Sequence, residues 1–258
     1  MSVNKPRLRN TLKKLRKVRF DRSDRANVDM APQEMLDFLA MLASLKPVCL
    51  VGRGFDDPDW VAGVEALARG MNLNVISGPK WFAQPEHEGL PDWYAEMEVP
   101  SSAARPVLYI CKSRSIAGEV RAVCTSSKIS MEQEAQLLGY PPCCVRDHYR
   151  RSRMFHEGFA LMLHRTSGGD EDEMRRILRE DEQMSPETEQ EKTLLGEATI
   201  QDPAPFTSLN MCPACAGDPD SPAMRMSRQY EALAQVVNPG LVSEISCFQD
   251  ALRTASMP

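Results

Sequence analysis

Four cysteines stand in two close pairs, Cys143 and Cys144 within "LGYPPCCVRDHY" and Cys212 and Cys215 within "MCPACAG". Adjacent cysteines bond to each other only with strain, and a packed core gains little from two small sulfurs side by side. A C-x-x-C turn converges two sulfurs on one ion while its backbone N–H groups bond to them, and the C-P-x-C form occurs in zinc knuckles and around iron–sulfur clusters. Two such pairs supply the four thiolates that a tetrahedral zinc ion or a four-iron cluster needs. Cys143, Cys144, Cys212 and Cys215 are therefore the expected metal ligands, against the alternative of a buried pair and an unrelated knuckle or redox dithiol. Two further candidates are His148, one helical turn beyond Cys144, and Cys111, at the end of a strand.

The local sequence suits this chemistry. Gly139 is placed to end one helix, and Pro141 and Pro142 to open the next, which sets both cysteines at a first turn. Unpaired N–H groups and the positive end of the helix dipole favour thiolate there. Of the remaining thiols, Cys49 and Cys247 lie among apolar residues and read as core, and Cys124 carries no assignment. His156 and His164 share a helix with His148 and read as polar surface. Glu132, Glu134 and Asp147 neighbour the cysteines in sequence and could act as acid or base, although solvated roles suit each as well. No catalytic residue is identified.

The segments that must position these residues fall into two halves. Residues 1–30 form a basic arm: Lys5, Arg7, Arg9, Lys13, Lys14, Arg16, Lys17 and Arg19 occur in the first 20 residues without one acid. A solvated tail and an amphipathic helix with Leu8, Leu12 and Leu15 on one face are the two readings of it. Residues 31–128 read as an α/β region, with a helix over 32–45, strands in "PVCLVGR", "LNVISG" and "RPVLYICKS", and a helix opened by Asp57 and Pro58 and closed at Gly70. Strand, helix and strand in that order predict a parallel pair. "GRGF" reads as a tight turn. Arg53, Lys112 and Arg114, near strand ends, are candidate anion contacts.

Residues 129–258 read as the helical, cysteine-bearing half, possible as one domain with the preceding region. Ser130 and Gln133 form a capping box for a helix ending at Gly139, and 143 to about 165 form a second helix with Val145, Tyr149, Phe155, Phe159 and Leu163 on one side. The acidic stretch 170–197, with 11 acids against four bases, reads as an exposed helix or a connection. Two more helices follow the Pro-rich loop that leads to Cys212. The fold class expected is α+β: a small N-terminal α/β layer with a few short strands, then a mainly helical half.

The pattern "LGYPPCCVRDHY", followed by "CPACAG" and "SRQYEALAQVVNPGLVSEI", resembles an uncharacterised family with a Leu-Gly-Tyr-Pro-x-Cys-Cys segment and a later paired-cysteine turn. That resemblance implies that the four cysteines act together. A second likeness is to the cysteine-rich domains of heterodisulfide-reductase-type proteins, which Cys111, Cys143–Cys144 and Cys212–Cys215 match in order, with Val145 where those domains have glycine. It implies that adjacent cysteines can serve an iron–sulfur cluster.

Composition adds bounds. Hydrophobic residues at 42% and charged residues at 26% describe an ordinary globular chain with a core of its own. No transmembrane run or secretory leader is visible, so the cysteines are expected in a reducing cytoplasm; the arm would also fit a mitochondrial presequence, and so the matrix of a eukaryote. The reading that follows is a metal-binding protein (iron–sulfur or zinc), a redox or biosynthetic enzyme acting on a small molecule or with an electron-transfer partner. The alternative is a structural zinc protein that meets nucleic acid or an acidic partner through residues 5–19. Metal-free thiol redox ranks behind both.

Overall fold

The computed structural model describes residues 4–18, 31–52, 58–79, 89–94, 106–126, 129–180, 182–199 and 206–255. Arg19, Arg53 and Asp57, and most of the "GRGF" turn, lie outside them.

Within the basic arm, α1 (Lys5–Leu15) is a helix started by Asn4, whose Oδ1 accepts the Arg7 N–H at 3.1 Å. Leu8, Leu12 and Leu15 recur at helical spacing and are all buried in the main core. Over residues 5–15 the amphipathic reading therefore holds and the tail reading does not. Two of its cations are engaged at the surface: Arg9 Nε donates to the Val237 carbonyl at 2.9 Å, and Arg16 pairs with Glu244.

Next comes α2 (Pro32–Leu42), opened by the Glu34 carboxylate on the Ala31 N–H. Every residue from Met35 to Met41 is buried, so this helix is covered on all sides. It leads to β1 (Val48–Val51), α3 (Pro58–Gly70), β2 (Asn74–Pro79), β3 (Pro106–Cys111) and α4 (Arg114–Ser126).

The strands do not form the parallel pair that their order suggests. Their spatial order is β1-β3-β2, and β3 is antiparallel to both neighbours, with Val48 and Asn74 each opposite Cys111. β1 and β2 do run the same way, but β3 fills the gap between them. The run Val107–Cys111 is buried at every position, as a central strand covered on both faces must be. Alternation then divides it between two cores. Leu108 and Ile110 join Cys49 and Val51 on the side of α1, α2 and α3, whereas Val107, Tyr109 and Cys111 pack with Ala117 and Val120 of α4.

The second half is helical, as expected: α5 (Met131–Leu138), α6 (Pro142–Thr166), α7 (Glu171–Glu180), α8 (Glu189–Ala198), a single turn α9 (Pro213–Ala216), α10 (Pro222–Val237) and α11 (Pro239–Ala255). Ser130 and Gln133 form the capping box, and Gly139 closes α5 at φ 72°. The positive φ favours glycine, and a Cβ there would also crowd Pro47 Cδ at 3.1 Å. The acidic stretch holds both of its readings, two helices joined by a non-helical connection over 182–188. α8 lies along α6, where Gly158 leaves room for Leu194 and Leu195 and the buried Glu191 pairs with Arg165 at 2.9 Å. Phe155 departs from the expected apolar side: it is 47% exposed and stacks on Phe159. Among the described residues no helix is long and apolar enough to cross a membrane.

Candidate metal centre

Gly139 reverses the chain and Pro141, in extended conformation at ψ 130°, starts α6 with Pro142 as its first residue. Cys143 and Cys144 are thus the second and third residues of a 25-residue helix. Neighbours on a helix point about 100° apart. This is how two adjacent thiols serve one centre: each faces a different sulfur of the second pair. Cys143 Sγ lies 3.6 Å from Cys215 Sγ, and Cys144 Sγ lies 3.8 Å from Cys212 Sγ.

The second pair is built by α9. Cys212 caps this turn, Pro213 opens it, and Cys215 follows on the same edge three residues later. The Cys212 N–H approaches Cys144 Sγ at 3.5 Å, and Ser221 Oγ donates to the Cys215 carbonyl at 2.8 Å, fixing the turn to the start of α10. All four sulfurs lie within 4.8 Å of one another, a group that could hold a metal ion. Cys144, Cys212 and Cys215 are buried at the margin of the main core, and Cys143 is exposed.

As a free thiol Cys144 is held protonated. Burial pushes it well up, further than the hydrogen bond from the Cys212 N–H brings it back. A cation is what would make thiolate favourable at such a depth.

The two additional candidates do not join the group. Cys111 falls on the α4 face of the sheet, the opposite face from the core that holds Cys144, and its thiol donates to the Ser113 carbonyl at 3.5 Å. His148 sits one turn along α6 but turns its Nδ1 to Asn210 Nδ2 at 3.4 Å. Cys247, expected in the core, is exposed, whereas Cys49 is buried as expected. Cys124 is half-buried and packs close to Gly78.

Other sequence candidates have structural partners. Lys112 Nζ donates to the Leu42 carbonyl at 3.0 Å and to Ser44 Oγ, so it ties down the end of α2. Asp147 pairs with Arg150 and Arg151, Glu134 accepts from Tyr149, and His156 meets the Tyr94 hydroxyl at 2.8 Å. His164 lies against Trp93, and Arg114 and Glu132 are exposed.

Sequence reasoning missed a second polar centre. Lys46 Nζ lies 3.1 Å from Asp37 Oδ2 with both side chains almost fully buried, and it sits 4.9 Å from the centre of the Tyr140 ring. Ser208 Oγ bridges Asp37 Oδ2 and the Tyr140 hydroxyl. Burial alone would lower the Lys46 pKa, but Asp37, with Tyr140, Tyr230 and Cys49 behind it, more than restores it, so the ammonium persists. Burial raises the Tyr140 phenol despite the lysine. The available signal was a lone aspartate inside the apolar run "MLDFLAML".

No family model, curated protein or solved structure matches this chain. The reading of the centre therefore stands on its geometry.

Proposed function

We propose that Cys143, Cys144, Cys212 and Cys215 hold one zinc ion whose role is to fasten the start of α6 to the turn before α10. The sulfur spacing carries this reading. Four thiolates at about 2.3 Å around one tetrahedral ion lie about 3.8 Å apart. The pairs Cys143–Cys215 and Cys144–Cys212, at 3.6 and 3.8 Å, fit that figure, and all four sulfurs lie within 4.8 Å of one another. The thiolates around a four-iron cluster stand roughly 6 Å apart, because each lies outside its own iron. Four protein sulfurs also close the coordination sphere, which suits a structural ion better than an open Lewis-acid or electron-transfer site.

The ion would supply a cross-link. Its binding free energy becomes folding free energy for two segments otherwise joined only by packing. Eight free thiols accord with a reducing compartment, in our reading the cytoplasm. The test is metal and sulfide analysis of anaerobically purified protein, with X-ray absorption at the metal edge. About one zinc per chain with four sulfur neighbours supports the proposal, and iron with inorganic sulfide returns the site to the redox-enzyme reading.

A partner contact is a second reading, favoured by the exposed cations Lys5, Arg7, Lys13 and Lys14 of α1 and Lys17 just beyond it. An acidic protein or a nucleic acid would meet that face with salt-sensitive affinity. Binding of a fluorescent oligonucleotide and of an acidic peptide, compared at low and physiological salt, decides between them; no binding of either removes this reading.

A further inference from the structure

The four cysteines of the centre do not meet solvent alike. Cys144, Cys212 and Cys215 are 0%, 6% and 4% exposed, whereas Cys143, the second residue of α6, is exposed. The contact between Cys144 and Cys212 is buried accordingly, and that between Cys143 and Cys215 is only partly buried. The centre thus has an open edge, and Cys143 stands at it.

A zinc ion keeps its sulfur ligands as thiolates, and oxidation of sulfur follows thiolate character and access. All four ligands share the first property, and Cys143 alone adds the second. A resolving thiol must then reach the oxidised sulfur directly, which needs no path from solvent. Cys215 Sγ lies 3.6 Å from Cys143 Sγ and can do so from inside the fold. Cys144 is adjacent in the chain, but neighbours on a helix point about 100° apart, and a bridge between them is strained.

We infer that Cys143 is a site of oxidative modification, through which a peroxide ejects the ion and leaves a Cys143–Cys215 disulfide in its place. The inference rests on the zinc reading and states how that site is regulated. The Cys143 thiolate attacks one oxygen of hydrogen peroxide, the O–O bond breaks, and a sulfenic acid and hydroxide form. The Cys215 thiolate attacks the Cys143 sulfur, the S–O bond breaks, and a second hydroxide leaves. Two electrons pass from the two sulfurs to the peroxide, and both hydroxides take up protons to become water. Cys144 and Cys212 are too few to hold the zinc, so it departs and they take up protons in turn. The disulfide joins the start of α6 to α9, the same segments that the ion joined, so the oxidised protein keeps a cross-link while it loses its metal.

The test exposes full-length, zinc-loaded protein to hydrogen peroxide in the presence of a chromophoric zinc chelator. Remaining thiols are then blocked, and peptides are mapped by mass spectrometry without reduction. One zinc should be released for each Cys143–Cys215 disulfide formed, and dithiothreitol with added zinc should restore the starting state. Limiting iodoacetamide should label Cys143 before the other three ligands. Cys247 is an exposed thiol outside the centre, and a Cys247→Ser variant should release zinc at the wild-type rate. Zinc retained while Cys247 is oxidised, a disulfide confined to Cys144 and Cys212, or Cys143 ending as sulfinic acid without a partner would overturn the inference. Loss of helix content on oxidation would overturn the exchange of one cross-link for another. Metal content before treatment separates the two failures. Protein that neither contains nor takes up zinc brings down the zinc reading and this inference with it, whereas any of the preceding outcomes in zinc-loaded protein brings down this inference alone.

Discussion

Cys144 and Cys212, 68 residues apart in the chain, place their sulfurs 3.8 Å from each other, and the Cys212 N–H also points to the Cys144 sulfur. The contact joins the N-terminus of the longest helix to the turn that starts the last two.

Replacement of Cys144 by serine should therefore abolish tight metal binding and lower the melting temperature steeply, because a buried ligand is lost and the other thiols are left around an incomplete site. Valine at Cys111, on the other face of the sheet, should leave metal content unchanged. Metal analysis and thermal denaturation of the two variants check this pair of outcomes.

The buried ion pair makes a separate prediction. Lys46→Met leaves the Asp37 carboxylate buried without its cation and should cost about 3–5 kcal/mol. The double variant Asp37→Leu/Lys46→Met should recover much of that loss, since neither charge then needs solvation. Chemical denaturation of the two single variants and the double variant gives the coupling; additive losses would show that the pair is not the cause.

Removal of the α1 leucines tests whether the basic arm belongs to the core. Leu12 is 3% exposed, and Leu12→Ala should destabilise the protein by about 2–5 kcal/mol. Lys13→Ala, on the exposed face, should change stability by under about 0.5 kcal/mol.

Acid should weaken the clasp between α6 and α8. Burial alone would raise the Glu191 carboxyl, but Arg165 and the backbone N–H groups of Glu187 and Thr188 bring it down to about 2. Its folded pKa lies below the unfolded value of about 4.3, so the stability it contributes is present above that value and is lost as pH falls towards 2. The difference in melting temperature between wild type and Glu191→Gln should accordingly be widest near neutrality and shrink below pH of about 4.

Much of this architecture is legible in the sequence because local rules decide it. Ser130, Gln133 and Gly139 start and stop a helix through contacts within a few residues, and the leucine spacing of α1 shows its buried face. The cysteine centre is legible for a related reason: adjacent and C-x-x-C thiols carry their chemistry in their spacing. What escaped depends on distant segments. The place of β3 between β1 and β2 is set by strand pairing, to which the pattern of a single strand gives only the clue of being apolar on both faces. The Asp37, Lys46, Tyr140 and Ser208 network joins residues from four separate segments, and each alone looks ordinary except the aspartate within an apolar helix. Spacing brings Cys111 and His148 near the centre, but sheet alternation turns one away, and the other, on the right helix face, turns its ring to Asn210.

The central claim is a single closed tetrathiolate ion, and X-ray absorption of the anaerobically purified protein, with metal and sulfide counted on the same sample, tests it most directly. The account predicts about one zinc per chain surrounded by four sulfurs at about 2.3 Å, lost in a Cys143→Ser/Cys144→Ser variant. Iron with acid-labile sulfide, or wild-type protein that neither contains nor takes up an ion, would contradict it.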